Sequence, residues 1–118
     1  MSDSNPAETF TYLATQLGAL NLGYLHVTER VEAGRARVTP LLREVFNGSL
    51  IVNGGYDATS GDAAIASGEA DLVAFGVPFL ANPDLPRRYR ERAPLNSADQ
   101  ATFYAGEEKG YIDYPALA

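Results

Sequence analysis

The fold is decided by residues 71–84, Asp-Leu-Val-Ala-Phe-Gly-Val-Pro-Phe-Leu-Ala-Asn-Pro-Asp. The apolar run at 72–75 predicts a strand buried on both faces, as parallel strands covered by helices are. Gly76 interrupts the run, Asn82 is a residue type that caps helices, and Pro83 suits a first helical position. Strand, glycine and helix in this order present backbone N–H groups to an anion in α/β proteins. The stretch therefore predicts a strand–helix unit with a candidate anion site.

A second stretch of the same kind precedes it. Residues 49–52 predict a strand and residues 53–57, Asn-Gly-Gly-Tyr-Asp, predict a turn that leads into a helix. If the two strands are neighbours, Gly54, Gly55 and Gly76 could bind one phosphate through backbone amides. The alternative is that the glycines serve only the geometry of a tight turn. From the residues alone, both interpretations stay open.

The rest of the chain continues this alternation. Asn5 and Pro6 predict the start of a first helix with an apolar stripe along one side. The other predicted elements are a strand at 22–27, a polar loop at 28–37, a helix that begins at Thr39 and ends at Gly48, and a short helix at about 60–67. This order predicts a single domain with a parallel sheet of about three strands and four flanking helices over residues 1–93, followed by an irregular wrapping tail at 94–118.

Length and charge exclude several classes of protein. A chain of 118 residues is short for a closed barrel, which typically takes about 250. The formal net charge of −6 argues against a nucleic-acid-binding surface. The dense basic group is interpreted as the solvated face of a helix, and its members are Arg87, Arg88, Arg90 and Arg92.

Composition also bears on metals and membranes. The chain has no cysteine and one histidine, which excludes a disulfide framework, a thiolate site and a histidine-rich metal site. No apolar run approaches the roughly 20 residues of a membrane span, and the first residues do not form a signal peptide. We therefore expect a cytoplasmic protein with no metal and with neither nucleic acid nor membrane as a partner.

These residues resemble those of the old yellow enzyme family, FMN-dependent NAD(P)H oxidoreductases that reduce activated alkenes on a (β/α)8 barrel. The matching stretches are Leu25-His26-Val27 with Glu29, Asn53-Gly54-Gly55-Tyr56, Phe75-Gly76 through Asn82-Pro83-Asp84-Leu85, Phe103-Tyr104 to Gly110-Tyr111, and Asp113-Tyr114-Pro115. The resemblance implies an α/β fold, a partial (β/α)8 TIM barrel whose strands correspond to the sixth to eighth. Met1 would then match an internal position of a longer protein, as expected of a truncated gene, a misplaced start codon or one half of a split enzyme.

The resemblance also implies the cofactor residues. Backbone amides of Gly54, Gly55, Gly76 and Val77 would bind the FMN phosphate, and Tyr104 would lie near the flavin and the substrate pocket. The family usually carries an arginine where this chain has Val77, so we expect weak FMN binding, or none, by the chain alone. The alternative role for Tyr104 is packing of the tail.

The resemblance assigns no catalytic residue to this chain. The histidine pair that holds the substrate carbonyl lies on an earlier strand in the family, and His26 is interpreted as structural. We therefore interpret the chain as the C-terminal portion of an ene-reductase, in which NADPH or NADH reduces FMN and a hydride passes to an activated alkene. We expect the isolated chain to be inactive. The alternative is a non-catalytic remnant, or a small anion-binding or interaction module without flavin activity.

Three parallel strands leave an unpaired edge on each side of the sheet. Such edges recruit other strands or aggregate. We therefore expect the chain to be poorly soluble, to associate with itself, or to assemble with an N-terminal barrel half.

Overall fold

The structure, a computed structural model, describes residues 3–30 and 34–118. The chain divides into two compact units, Met1–Ala74 and Phe75–Ala118. The first unit holds the sheet and three helices, and the second holds two helices and the tail. The organisation as one domain with a boundary at residue 93 stays a prediction.

The first unit alternates helices and strands along the chain. Its elements are α1 (Pro6–Gly18), β1 (Tyr24–Thr28), α2 (Thr39–Val45), β2 (Ser49–Asn53), α3 (Ala58–Ala66) and β3 (Leu72–Val73). The strands form a parallel sheet in the order β1-β2-β3, with Leu25 opposite Leu50 and Val52 opposite Val73. The prediction of a three-stranded parallel sheet is confirmed.

The core of this unit lies on one face of the sheet. Leu50 and Val52 of β2 are completely buried with Ala70, and half-buried apolar side chains pack around them. On the opposite face, His26 of β1 is exposed and Leu72 of β3 is 56% exposed. The expectation of a third strand buried on both faces is therefore wrong, because alternate residues of β3 point to a face that stays exposed.

Local capping fixes where two of the helices begin. The side chain of Asn5 accepts a hydrogen bond from the Glu8 amide, as the sequence predicts for the start of α1. Asp57 accepts one from the Ser60 amide at 2.8 Å, and the Ser60 hydroxyl accepts one from the Asp57 amide. This reciprocal capping box starts α3 at Ala58.

The second unit contains α4 (Val77–Ala81), α5 (Leu85–Glu91), a 3₁₀ turn (Gln100–Thr102) and the tail. The short helix α4 is additional to the four helices expected. The expectation that Asn82 caps the following helix and that Pro83 is its first residue is wrong, because Asn82 ends α4 and α5 begins at Leu85 with Asp84 as its N-cap. Asn82 is buried, donates to the Pro78 carbonyl at 2.9 Å and accepts from the Asn96 amide at 2.7 Å. It therefore joins α4 to the chain beyond α5.

Arg88 corrects the interpretation of the basic group as a solvated face. It is 4% exposed, and its guanidinium donates to Asp84 at 2.7 Å and to the carbonyls of Pro94 and Pro115 at 2.8 Å each. A fork of donors can reach three acceptors that lie far apart in sequence. Arg87, Arg90 and Arg92 are exposed, as expected.

Candidate functional site

A glycine turn follows the central strand β2 directly. Gly54 and Gly55 have φ angles of +115° and +76°, a region that side chains other than glycine disfavour. A Cβ on Gly54 would also collide with the carbonyl group of Glu29, whereas a Cβ on Gly55 would meet open space. Glycine is thus required at position 54 by the protein's own packing, and the space beside Gly55 is accessible to a ligand.

The amides of this turn are available to an anion. Across residues 3–30 and 34–118, neither the Gly54 nor the Gly55 N–H donates a hydrogen bond. Backbone N–H groups that have no internal partner are the donors that phosphate oxygens accept in turns of this type. The donor set of the turn therefore fits a phosphate group.

Polar contacts of the two flanking residues, Asn53 and Tyr56, hold the turn in position. The Asn53 amide side chain donates to the Ala74 carbonyl at 2.8 Å and so links the ends of β2 and β3. Tyr56, which follows the turn, packs on the core, and its hydroxyl accepts from Arg37 at 2.8 Å. Arg37 also forms an ion pair with Glu69 at 2.6 Å. These contacts hold the chain on both sides of the two glycines.

Asp57 lies next to the turn but directs its charge elsewhere. Hydrogen bonds from the Ser60 amide and then the Ser60 hydroxyl lower the pKa of its carboxyl group, so it is ionised at neutral pH. That charge stabilises the N-terminus of α3.

Glu29 directly follows β1 and forms a hydrogen-bond network that sequence reasoning missed. Its carboxylate accepts hydrogen bonds from the Val38 amide at 2.7 Å, the Thr39 amide at 3.0 Å and the Thr39 hydroxyl at 2.6 Å. Burial raises the pKa of Glu29, but these hydrogen bonds and the positive charge of Arg37 outweigh it and hold the pKa below its ordinary value. No local sequence pattern signals this role, because Val38 and Thr39 lie nine and ten positions beyond Glu29 in the chain.

Gly76 and Val77 begin α4 in the second unit. Gly76 is the N-cap residue without a side-chain cap, and Val77 is 49% exposed. Throughout the part of the chain that the structure describes, the amides of both residues donate no hydrogen bond. Gly76 has a φ of −88° and open space where a Cβ would stand, so its own backbone does not require glycine. Val77 contributes an amide but no charge.

Tyr104 and His26 are two further residues whose roles the sequence left open. Tyr104 is completely exposed, so the alternative of a packing role for its ring is wrong. His26 lies on the exposed face of β1, in register with Ile51 of β2. His26 forms no hydrogen bond with the glycine turn among the described residues. The roles of both residues in a site stay predictions.

The described residues offer neither a cluster of metal ligands nor a membrane-spanning helix. Over residues 3–30 and 34–118, no cluster of three histidine, aspartate or glutamate side chains is placed to hold a metal ion. Over the same residues, no helix is long and apolar enough to cross a membrane.

Comparison with known proteins gives consistent matches along the chain. The sequence model of the NADH:flavin oxidoreductase / NADH oxidase family matches residues 3–96. A 12-oxophytodienoate reductase-like protein from Solanum lycopersicum is 46% identical over 116 residues, a match that covers 98% of this chain and 32% of that protein.

Solved structures agree with these matches. Morphinone reductase in complex with tetrahydroNAD has a TM-score of 0.87 and 44% identity, with 99% of this chain and 32% of that chain covered. An old yellow enzyme homologue from Zymomonas mobilis has a TM-score of 0.92 and 38% identity, with 98% of this chain and 34% of that chain covered. The chain thus spans about a third of the length of these relatives, and the prediction of a partial (β/α)8 barrel is confirmed.

Proposed function

Because the chain belongs to the NADH:flavin oxidoreductase / NADH oxidase family, we propose that it forms part of an FMN-dependent ene-reductase and contributes to the site for the FMN phosphate. The observation that carries this proposal is the pair of unbonded amides of Gly54 and Gly55 at the end of the central strand. In the second unit, the amides of Gly76 and Val77 are proposed as further donors to the phosphate, and Tyr104 as a residue near the flavin.

The chain's residues would bind and orient the cofactor. When bound, FMN supplies hydride transfer between a nicotinamide nucleotide and an activated alkene. The Gly54–Gly55 amides would hold the phosphate, and the Arg37–Tyr56 contact would keep the turn in place. The chain has one histidine and therefore lacks a histidine pair for a substrate carbonyl, so we propose that the chain alone is inactive. A cytoplasmic location and assembly with an N-terminal barrel half or a second copy stay predictions.

The charges of the chain limit the affinity expected for FMN. An arginine that pairs with phosphate typically adds about 1.5–3 kcal/mol through charge-assisted hydrogen bonds. Val77 offers none of this, and the net charge of −6 repels an anion at long range. We therefore propose that FMN binds more weakly here than it would with arginine at position 77.

A comparison of FMN, riboflavin and inorganic phosphate tests the proposal. Flavin fluorescence titration should show FMN binding about tenfold or more tightly than riboflavin, which lacks the phosphate. Equal affinity for the two flavins, or no binding of either, would contradict a phosphate site. If inorganic phosphate binds as tightly as FMN, the alternative of a small anion-binding module is the better description.

A matched pair of glycine variants locates the site. Gly55 and Gly68 have φ angles of +76° and +81°, and a Cβ on either would meet open space. Gly55→Ala and Gly68→Ala therefore introduce similar backbone strain, but only the first places a methyl group beside the turn amides. FMN binding should weaken in Gly55→Ala alone. Equal binding by both variants would place the phosphate elsewhere.

A further inference from the structure

Glu29 contacts the glycine turn through its main chain. Its amide donates to the Asn53 carbonyl at 3.0 Å, which extends the pairing of β1 and β2 one residue beyond the strands. Its carbonyl group lies where a Cβ on Gly54 would be, so the turn rests against the Glu29 backbone. The position of Gly54 therefore depends on the position of Glu29.

The side chain of the same residue is attached to a different element. Val38, the N-cap residue of α2, makes no side-chain capping bond, and the Glu29 carboxylate accepts from the Val38 and Thr39 amides instead. Thr39 is 1% exposed, and its hydroxyl also donates to this carboxylate. A charged acceptor at a helix N-terminus satisfies amides that lack partners within the helix. Glu29 is thereby fixed to the start of α2.

We propose that Glu29 is a positioning residue for the phosphate-binding turn: its carboxylate anchors it to α2, and its main chain sets the place of Gly54. This inference rests on the proposed function, because it concerns the same turn. It assigns to Glu29 no contact with the cofactor. Its effect on binding would pass through the backbone of the turn.

Asp71, which precedes β3, provides a matched control because its carboxylate also accepts a hydrogen bond from a main-chain amide. Its carboxylate accepts hydrogen bonds from Arg43 at 2.7 Å and from the amide of Leu50 at 2.9 Å, and Leu50 lies on β2 before the glycine turn. Loss of the Glu29 carboxylate removes an acceptor for amides of α2, and loss of the Asp71 carboxylate removes an acceptor for an amide of β2. Only the loss of Glu29 should displace the glycine turn.

The test compares Glu29→Ala and Glu29→Gln with Asp71→Ala and Asp71→Asn. Amide resonances of Gly54 and Gly55, followed by NMR without any ligand, should shift in Glu29→Ala and return partly in Glu29→Gln, which keeps one acceptor oxygen. The Asp71 variants should leave these two resonances in place. Unchanged Gly54 and Gly55 resonances in Glu29→Ala would overturn the inference.

FMN titration of the same variants gives the second readout. Glu29→Ala should weaken FMN binding about tenfold, with partial recovery in Glu29→Gln, whereas the Asp71 variants should bind as the unaltered chain does. Equal weakening by Asp71→Ala would reduce Glu29 to a general stabilising role. If the unaltered chain binds no FMN, the proposed function fails, and the ligand-free NMR comparison still decides whether Glu29 positions the turn.

Discussion

Replacement of Arg88 by alanine should strongly destabilise the unit Phe75–Ala118. The buried guanidinium connects the start of α5, through Asp84, with the Pro94 carbonyl and with the Pro115 carbonyl near the end of the chain. Alanine removes all three hydrogen bonds and leaves space where the guanidinium was. The tail should therefore be held to α5 only by the weaker contacts of Arg87 and Asp84 with the last two residues.

The expected loss in the free energy of unfolding depends on which of the three acceptors keep another hydrogen-bond donor. The Pro115 carbonyl still accepts from Asn96, and Asp84 still accepts from the Leu117 amide, both at 2.8 Å. The Pro94 carbonyl loses its bond to the guanidinium. Three charge-assisted bonds at about 1.5–3 kcal/mol each would overstate the effect, because two acceptors stay occupied. We expect a loss of about 3–5 kcal/mol in the free energy of unfolding, the range typical when one partner of a buried pair is removed.

Arg90→Ala is the matched control, since Arg90 is exposed on the same helix. Its free energy of unfolding should stay within about 0.5 kcal/mol of the original value. Urea unfolding followed by circular dichroism measures both variants, and cleavage by chymotrypsin at the tail tyrosines reports local release of the tail. If Arg88→Ala unfolds and is cleaved like Arg90→Ala, the reasoning about the buried guanidinium is refuted.

Three further predictions concern the candidate site. Val77→Arg should tighten FMN binding about 10- to 150-fold by fluorescence titration. The control Ile112→Arg, an equal charge change at another exposed apolar residue, should leave FMN binding unchanged. Similar gains in both variants would indicate unspecific electrostatic attraction. Gly54→Ala should lower the free energy of unfolding by about 3 kcal/mol, against about 1 kcal/mol for Gly68→Ala, because overlap with the Glu29 carbonyl adds to the strain of a positive φ; equal losses would contradict this contact. The pKa of Glu29 lies below its ordinary value of 4.5, so the stabilisation by its carboxylate is complete above pH 4.5 and is lost as pH falls through the folded-state pKa. The free energy of unfolding, measured against pH, should therefore decline less steeply in acid for Glu29→Gln than for the unaltered chain. Parallel curves for the two proteins would show that the ionisation of Glu29 does not contribute to stability.

The alternation of elements could be predicted because it depends on local patterns. Asn5 with Pro6 begins a helix through contacts within four residues, and Asp57 with Ser60 does the same for α3. The glycine turn after β2 was predictable for the same reason, since a run of apolar residues followed by two glycines leaves few backbone alternatives. The available amides of the turn follow from this local geometry.

Which side chains of β3 and α5 are buried was harder to predict. An apolar run such as 72–75 specifies a strand but not how many of its faces are covered, so the exposure of Leu72 emerged only from the assembled sheet. Three arginines on one short helix look alike in sequence, yet Arg88 is buried because acceptors from residues 94 and 115 converge on it.

The sequence by itself determined the order of helices and strands up to β3, the position of the glycine turns and the family to which they belong. Each of these depends on residues that are close in the chain or on motifs in a fixed order. Only the tertiary structure decided that Glu29 supports both α2 and Gly54, and that Arg88 attaches the tail. Hydrogen bonds of this kind form between groups that folding brings together from distant positions, and no spacing along the chain records which donor will meet which acceptor.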